Sequence, residues 1–260
     1  MIARMKIRIN CLYLLLCILN PVSGICEGLD YWAGAGARLL PQGGGLVAGA
    51  GYGVNLWGDS TSGSYNYGYL RPSVRGYTSL LVTQAQVELS VFPLALAGFT
   101  FGYLQSWRNT DFKTLDCAQI SCRSRLGTSY LRIDVALGYE KYFLLLGGKM
   151  TWLNPVVMDR PFADENTMLI GNQGGDSSLT SEATLGYKID DRYSVGFYFS
   201  GDQMRDHGGS SNHESLFVRR EIDSWSLLLG AGTYESVLQS RGITGYAVIR
   251  FVGLPSIAFF

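Results

Sequence analysis

Apolar and polar residues alternate along most of the chain beyond residue 25. The plainest stretch runs from Leu131 to Tyr139. One face carries Leu131, Ile133, Val135, Leu137 and Tyr139, and the other carries Arg132, Asp134, Ala136 and Gly138. A period of two marks a β-strand, because successive side chains point to opposite faces of a sheet. The same division recurs: Thr83, Ala85, Val87, Leu89 and Val91 oppose Gln84, Gln86, Glu88 and Ser90, and Ala183, Leu185, Tyr187 and Ile189 oppose Glu182, Thr184, Gly186 and Lys188. Phe99–Tyr103, Tyr193–Ser200 and Trp225–Gly232 repeat it. The pattern predicts twelve strands, near 29–39, 45–57, 64–78, 81–92, 96–107, 127–139, 141–153, 178–189, 192–203, 213–222, 224–234 and 242–252.

From the fourth strand onward the predicted connections alternate in length. They are short at Pro93, Glu140, Asp190-Asp191 and Asp223, and longer at 108–126, 154–177, 204–212 and 235–241. Tight turns on one rim, long loops on the other and an even strand number describe an antiparallel up-and-down barrel that crosses a membrane, with apolar positions facing lipid and ionisable ones facing the lumen. The parity puts the tight turns in the periplasm and the long loops outside. Tyr139, Tyr142, Tyr187, Tyr193 and Trp225 then fall near the tight-turn rim, and Trp107 and Trp152 near the other, as interfacial aromatic girdles do.

Composition agrees with an all-β chain. Charged residues make up 16% of the 260, with 33 Gly and 16 Tyr, a mixture that favours strands over helices. The formal net charge is zero, which gives no support to a nucleic-acid partner. Arg4, Lys6 and Arg8, the apolar run Leu12–Leu19 and the small residues Val22-Ser23-Gly24 predict a cleaved signal peptide over residues 1–24. The run is far shorter than the roughly 20 residues of a spanning helix. Its removal leaves a barrel domain at 25–260 with 18 basic against 21 acidic residues. Cys117 and Cys122 lie close together in a polar segment with no His nearby, so in an oxidising envelope they predict a local disulfide. Cys26 is left over.

The chain ends Ala258-Phe259-Phe260. This terminus resembles the assembly signal of the Gram-negative outer-membrane β-barrel superfamily, and the resemblance covers the whole mature chain. It implies an outer-membrane location, contact with outer-membrane lipids and lipopolysaccharide, and delivery to the barrel assembly machinery through Phe260. Pro255 departs from the pattern, because it removes a ladder hydrogen bond from the last strand.

The expected lumen-facing charges are Arg38, Arg71, Arg75, Glu88, Arg132, Asp134, Lys149, Glu182, Lys188, Asp202 and Arg219. Such sorting is required for stability alone, since an Arg or Lys on the lipid face costs about 2–4 kcal/mol at the midplane. It also fits a narrow channel for small polar solutes, with a slight basic excess favouring anions, or else a lumen packed shut by ion pairs behind surface-exposed, adhesive loops. Gly34, Gly36, Gly49, Gly51 and Gly53 form an inward stripe into which Trp32, Tyr69, Tyr77 or a loop can lean. His213-Glu214-Ser215 is the one candidate for catalysis. Its spacing is similar to that of the outer-membrane acyl hydrolases, phospholipase A and lipid A deacylase, which implies a His taking the proton of a Ser nucleophile. Leu216 stands where those families carry Asn, and Leu216 and Val218 read as the lipid-facing pair, turning His213 and Ser215 inward. His207 and His213 with Asp202, Asp206 and Glu214 offer ligands for a metal ion at the loop, but with two His in the whole chain they read as a solvated polar loop; Asp164, Glu165 and Asp176 in the 154–177 loop offer oxygens for calcium but lack the spacing of a dedicated site. No cofactor is expected.

Overall fold

The computed structural model describes residues 28–58, 65–79, 81–108, 117–122, 125–156, 160–164, 167, 169–237 and 239–254. The expected signal peptide, Cys26, Glu165, Pro255 and the Phe260 terminus lie outside these residues. The elements are β1 (Leu29–Arg38), β2 (Gly43–Tyr52), β3 (Val54–Trp57), β4 (Gly68–Thr78), β5 (Val82–Leu94), β6 (Ala97–Arg108), β7 (Arg125–Tyr139), β8 (Tyr142–Pro155), β9 (Phe162–Asp164), β10 (Leu169–Gly171), β11 (Asp176–Lys188), β12 (Tyr193–Met204), β13 (Ser210–Ile222), β14 (Trp225–Ser236) and β15 (Gln239–Leu254). The wall strands pair antiparallel with their sequence neighbours. β1 pairs with β15 and closes the barrel. Counting β2 and β3 as one interrupted strand, twelve strands form the wall.

Alternation decides which way each side chain faces. Large apolar residues stand exposed on the outside: Leu46, Val74, Val87, Phe101, Ile133, Leu185, Leu216, Leu229 and Ile249 among them. A soluble sandwich would bury these residues against one another, whereas a hydrocarbon solvent leaves them outermost. Outward charges keep to the strand ends. Glu214 pairs with Arg241 (3.3 Å) toward the long-loop rim, and Arg220 lies over the Tyr193 ring toward the other. Four small outward residues, Ala33, Ala48, Gly76 and Ala85, lie in one register row across β1, β2, β4 and β5 and floor an apolar trough of about 830 Å³ on the lipid face.

The tight turns follow from their residues. Glu140 (φ 53°) and Asp223 (φ 49°) begin the two-residue links β7–β8 and β13–β14, where a primed hairpin turn needs a positive φ. Three details differ from the expected segments. The predicted strand 45–57 breaks at Gly53, whose N–H turns to the Gly28 carbonyl. The 58–67 connection lies on the tight-turn rim but is ten residues long. The 235–241 loop shrinks to 237–238, because β14 and β15 stay paired as far as Ser236 and Gln239.

A large part of the interior rests on aromatic rings laid flat over glycines of the adjoining strand. Trp32 covers Gly49, Tyr130 covers Gly102, Phe143 covers Gly186 and Tyr246 covers Gly230. At Gly102 a Cβ would clash with the hydroxyl end of the Tyr130 ring, so only Gly lets that ring lie against the wall. Tyr77 lies over Gly45, a glycine of β2 outside the predicted stripe. Tyr69 does not lean onto the stripe: it is buried near the tight-turn end and stacked on Phe92 (4.7 Å, 7°).

Candidate functional site: the barrel interior and its outer mouth

All eleven residues expected to face the lumen fall on the interior parity of their strands. The glycines let their side chains reach over a strand to the next one. Asp30 of β1 holds Arg71 of β4 with two contacts of 2.7 and 2.5 Å, across Gly51 of β2. Arg132 of β7 binds Asp134 (2.8 Å) and reaches over Gly147 to Glu182 of β11 (2.7 Å). Glu88 accepts from Tyr130 Oη (2.6 Å), Gln86 Nε2 (2.8 Å) and Ser73 Oγ (3.2 Å), and pairs with Arg75 at 3.4 Å. Asp202 accepts from Thr180 (2.7 Å) and Ser211 (3.2 Å), while Arg219 pairs with Glu221 (2.5 Å).

Every interior wall carboxylate named above therefore has a partner. The cations are not matched in return. Arg38, Lys149, Lys188 and Arg250 make no salt bridge among the described residues. Lys149 lies over the Tyr130 ring (5.9 Å), and Arg250 over the Trp32 ring (4.7 Å). Asp30, Glu221 and Arg250 were absent from the sequence-predicted set. Their strand parity was available, since Arg250 shares its face with Tyr246 and Val248 and alternates with Ile249 and Phe251.

The long loop between β8 and β11 turns inward. Its β9–β10 hairpin seats Phe162 and Leu169 among Leu126, Leu153 and Met204, all five being buried interior residues. Arg108 donates to the carbonyls of Ala163 and Ser121, and Tyr234 Oη donates to the Thr167 carbonyl (3.1 Å). These contacts come from the outer ends of β6, β7, β8, β12 and β14, so the hairpin occupies part of the mouth. The Cys117–Cys122 disulfide forms and holds the flanking loop. That loop braces the hairpin: Ser121 N–H donates to Pro161 O (2.8 Å), and Arg160 donates to the carbonyls of Cys117 (3.3 Å) and Ala118 (3.1 Å). Two short apolar runs, Phe162-Ala163 and Met168-Leu169-Ile170, were the sequence signal for this hairpin. Period-two counting over longer windows passes over runs so short.

His213 and Ser215 both face inward and do not form a nucleophile–base pair. Ser215 Oγ lies 3.3 Å from Tyr246 Oη, while the His213 ring meets Tyr198 and Tyr246 edge-on (5.5 and 5.8 Å) with its Nε2 buried and unbonded. The acidic candidates near the loops are engaged otherwise. Asp176 accepts backbone N–H bonds from Asn172, Ser177, Asp206 and His207, which fastens the 205–207 turn. Asp164 accepts from Thr167 Oγ1 (2.7 Å). No group of three potential metal ligands occurs among the described residues.

No family model matches the chain, and no curated protein does. Solved structures are similar in fold at very low identity. LpxR from Salmonella typhimurium is 6% identical with a TM-score of 0.45, over 85% of this chain and 99% of that one. The KdgM porin in complex with disordered oligogalacturonate is 7% identical with a TM-score of 0.43, over 86% and 98%. The translocator domain of the autotransporter NalP from Neisseria meningitidis is 11% identical with a TM-score of 0.35, over 96% of each chain. A closed wall with an apolar exterior and an ionisable interior gives this chain the architecture of a transmembrane β-barrel of the outer-membrane type.

Proposed function

We propose that the protein is a narrow channel in the outer membrane that passes small polar solutes and favours anions. The supporting observation is the imbalance of the lumen: its wall carboxylates are engaged, whereas Arg38, Lys149, Lys188 and Arg250 make no salt bridge among the described residues. Charges that line a pore set the sign of the ions it admits. The β9–β10 hairpin holds the β6–β14 side of the mouth, so the solute path follows the opposite wall of β1 and β2, where Gly34, Gly36 and Gly43 carry no side chain. Arg38, Arg71, Arg75, Glu88, Arg132, Asp134, Lys149, Glu182, Lys188, Asp202 and Arg219 line that path or hold its neighbours in place. Outer-membrane lipids and lipopolysaccharide surround the barrel, and the assembly machinery recognises its Phe260 terminus.

Reversal potentials test the reading. Refolded protein in a planar bilayer under a KCl gradient is expected to conduct with chloride preferred over potassium. A silent bilayer, or a preference for potassium, overturns it.

A further inference from the structure

We propose that Arg75 and Arg250 form a subsite that binds one small oxyanion, the carboxylate or phosphate group of a solute, inside the barrel; this deepens the channel reading and rests on it. The Trp32 indole lies over Gly49 and carries two guanidinium groups, Arg75 at 5.5 Å and Arg250 at 4.7 Å from the ring. Both cations are thus held against one rigid ring. Their neighbours differ from them in one respect. Arg71 is occupied by Asp30, and Arg219 by Glu221. Among the described residues Arg75 pairs only with Glu88, at 3.4 Å, with 41% of its side chain exposed.

Arg250 has less still. Its Nε is buried without a hydrogen-bond partner, and it makes no salt bridge among the described residues. Arg219, Arg75 and Arg71 act on it electrostatically, opposed by the carboxylate of Glu221. Opposite Arg250 in register stands Gly34, which puts no side chain between the guanidinium and the lumen. Each guanidinium has five N–H donors in a planar fork that matches the two oxygens of a carboxylate or phosphate. An oxyanion between the two forks supplies the missing acceptor and relieves the repulsion within the cluster.

The test reads binding without conductance, so that its failure and the failure of the channel reading are separable. Inorganic phosphate is titrated at low ionic strength into the full-length refolded barrel in detergent micelles. Equilibrium dialysis gives the affinity, and the change in Trp32 emission, isolated by subtraction of Trp32→Phe, gives the location. Saturable binding is expected, with acetate competing for it. Arg250→Gln and Arg75→Gln each weaken it at least tenfold, while Arg241→Gln on the lipid face leaves it within twofold. Arg250→Lys keeps the charge without the fork, is also expected to weaken binding, and carries the test if the Gln variant does not fold. Absence of saturable phosphate binding overturns the proposal, as does binding that the substitutions at Arg75 and Arg250 leave within twofold. A barrel that conducts anions yet gives either result keeps its channel function and loses this subsite.

Discussion

Phe162→Ala tests the hairpin in the mouth directly. The Phe162 side chain is fully buried (0% exposed) among Leu126, Leu153, Leu169 and Met204, with its ring over Gly171. Truncating a buried Phe to Ala costs about 3–5 kcal/mol. The β9–β10 pair is a separate two-stranded sheet outside the barrel ladder, so the cost falls on docking of the hairpin and not on the wall. Taking the lower figure, about 3 kcal/mol, the undocked population rises roughly a hundredfold. Proteinase K nicking between residues 160 and 171, located by mass spectrometry, follows that population when opening is fast relative to cleavage. Nicking is expected to accelerate by about that factor, and single-channel conductance to rise, while the folded barrel keeps its mobility in unheated electrophoresis. Serine at Cys122 unfastens the bracing loop and is expected to act in the same direction, more weakly. Unchanged nicking together with unchanged conductance in Phe162→Ala refutes the hairpin as an occupant of the mouth.

Two further predictions concern the wall. Adjacent residues of β2 face opposite ways, so Ala48→Leu, which points into the lipid-facing trough, is expected to change the urea midpoint of vesicle-embedded protein by less than about 0.5 kcal/mol in equivalent stability. Gly49→Leu, whose Cβ would stand 3.0 Å from the Trp32 indole, is expected to cost about 1–3 kcal/mol by overpacking; equal effects at the two positions refute the assigned facing. Asp30→Asn leaves the Arg71 guanidinium buried beside a neutral amide, their side chains being 2% and 14% exposed. It is expected to lose about 3 kcal/mol or more in the same assay, with part recovered in the double variant Asp30→Asn/Arg71→Met; a neutral single variant shows that the pair does not stabilise the wall.

Much of the architecture was readable from local pattern, because strand direction, facing and turn position are local properties. Leu131–Tyr139 could satisfy only a sheet with one apolar and one ionisable side, and Glu140 and Asp223 sit where tight turns must form. The facing of His213 and Ser215 followed from Leu216 and Val218 in the same way. The bend at Gly53 was not readable, since it depends on a carbonyl at Gly28 on the neighbouring strand. Tyr69 was one of several groups able to lean onto the glycine stripe, because parity puts it inside, but parity does not say how far along the barrel a ring lies. Its height places it against Phe92 instead.

The one-dimensional chain determined a membrane-crossing barrel of twelve strands, its inside and its outside, because an alternating strand in hydrocarbon has a single low-energy orientation. Which charge meets which was a matter for the closed structure. Asp30 and Arg71 are separated by 41 residues and brought together only when β1, β2 and β4 take their registers. The same holds for the inward hairpin, and for Arg75 of β4 and Arg250 of β15, which share the Trp32 ring once β15 pairs with β1. Ring closure joins what the sequence keeps farthest apart, so the chemistry at that seam is a property of the tertiary structure alone.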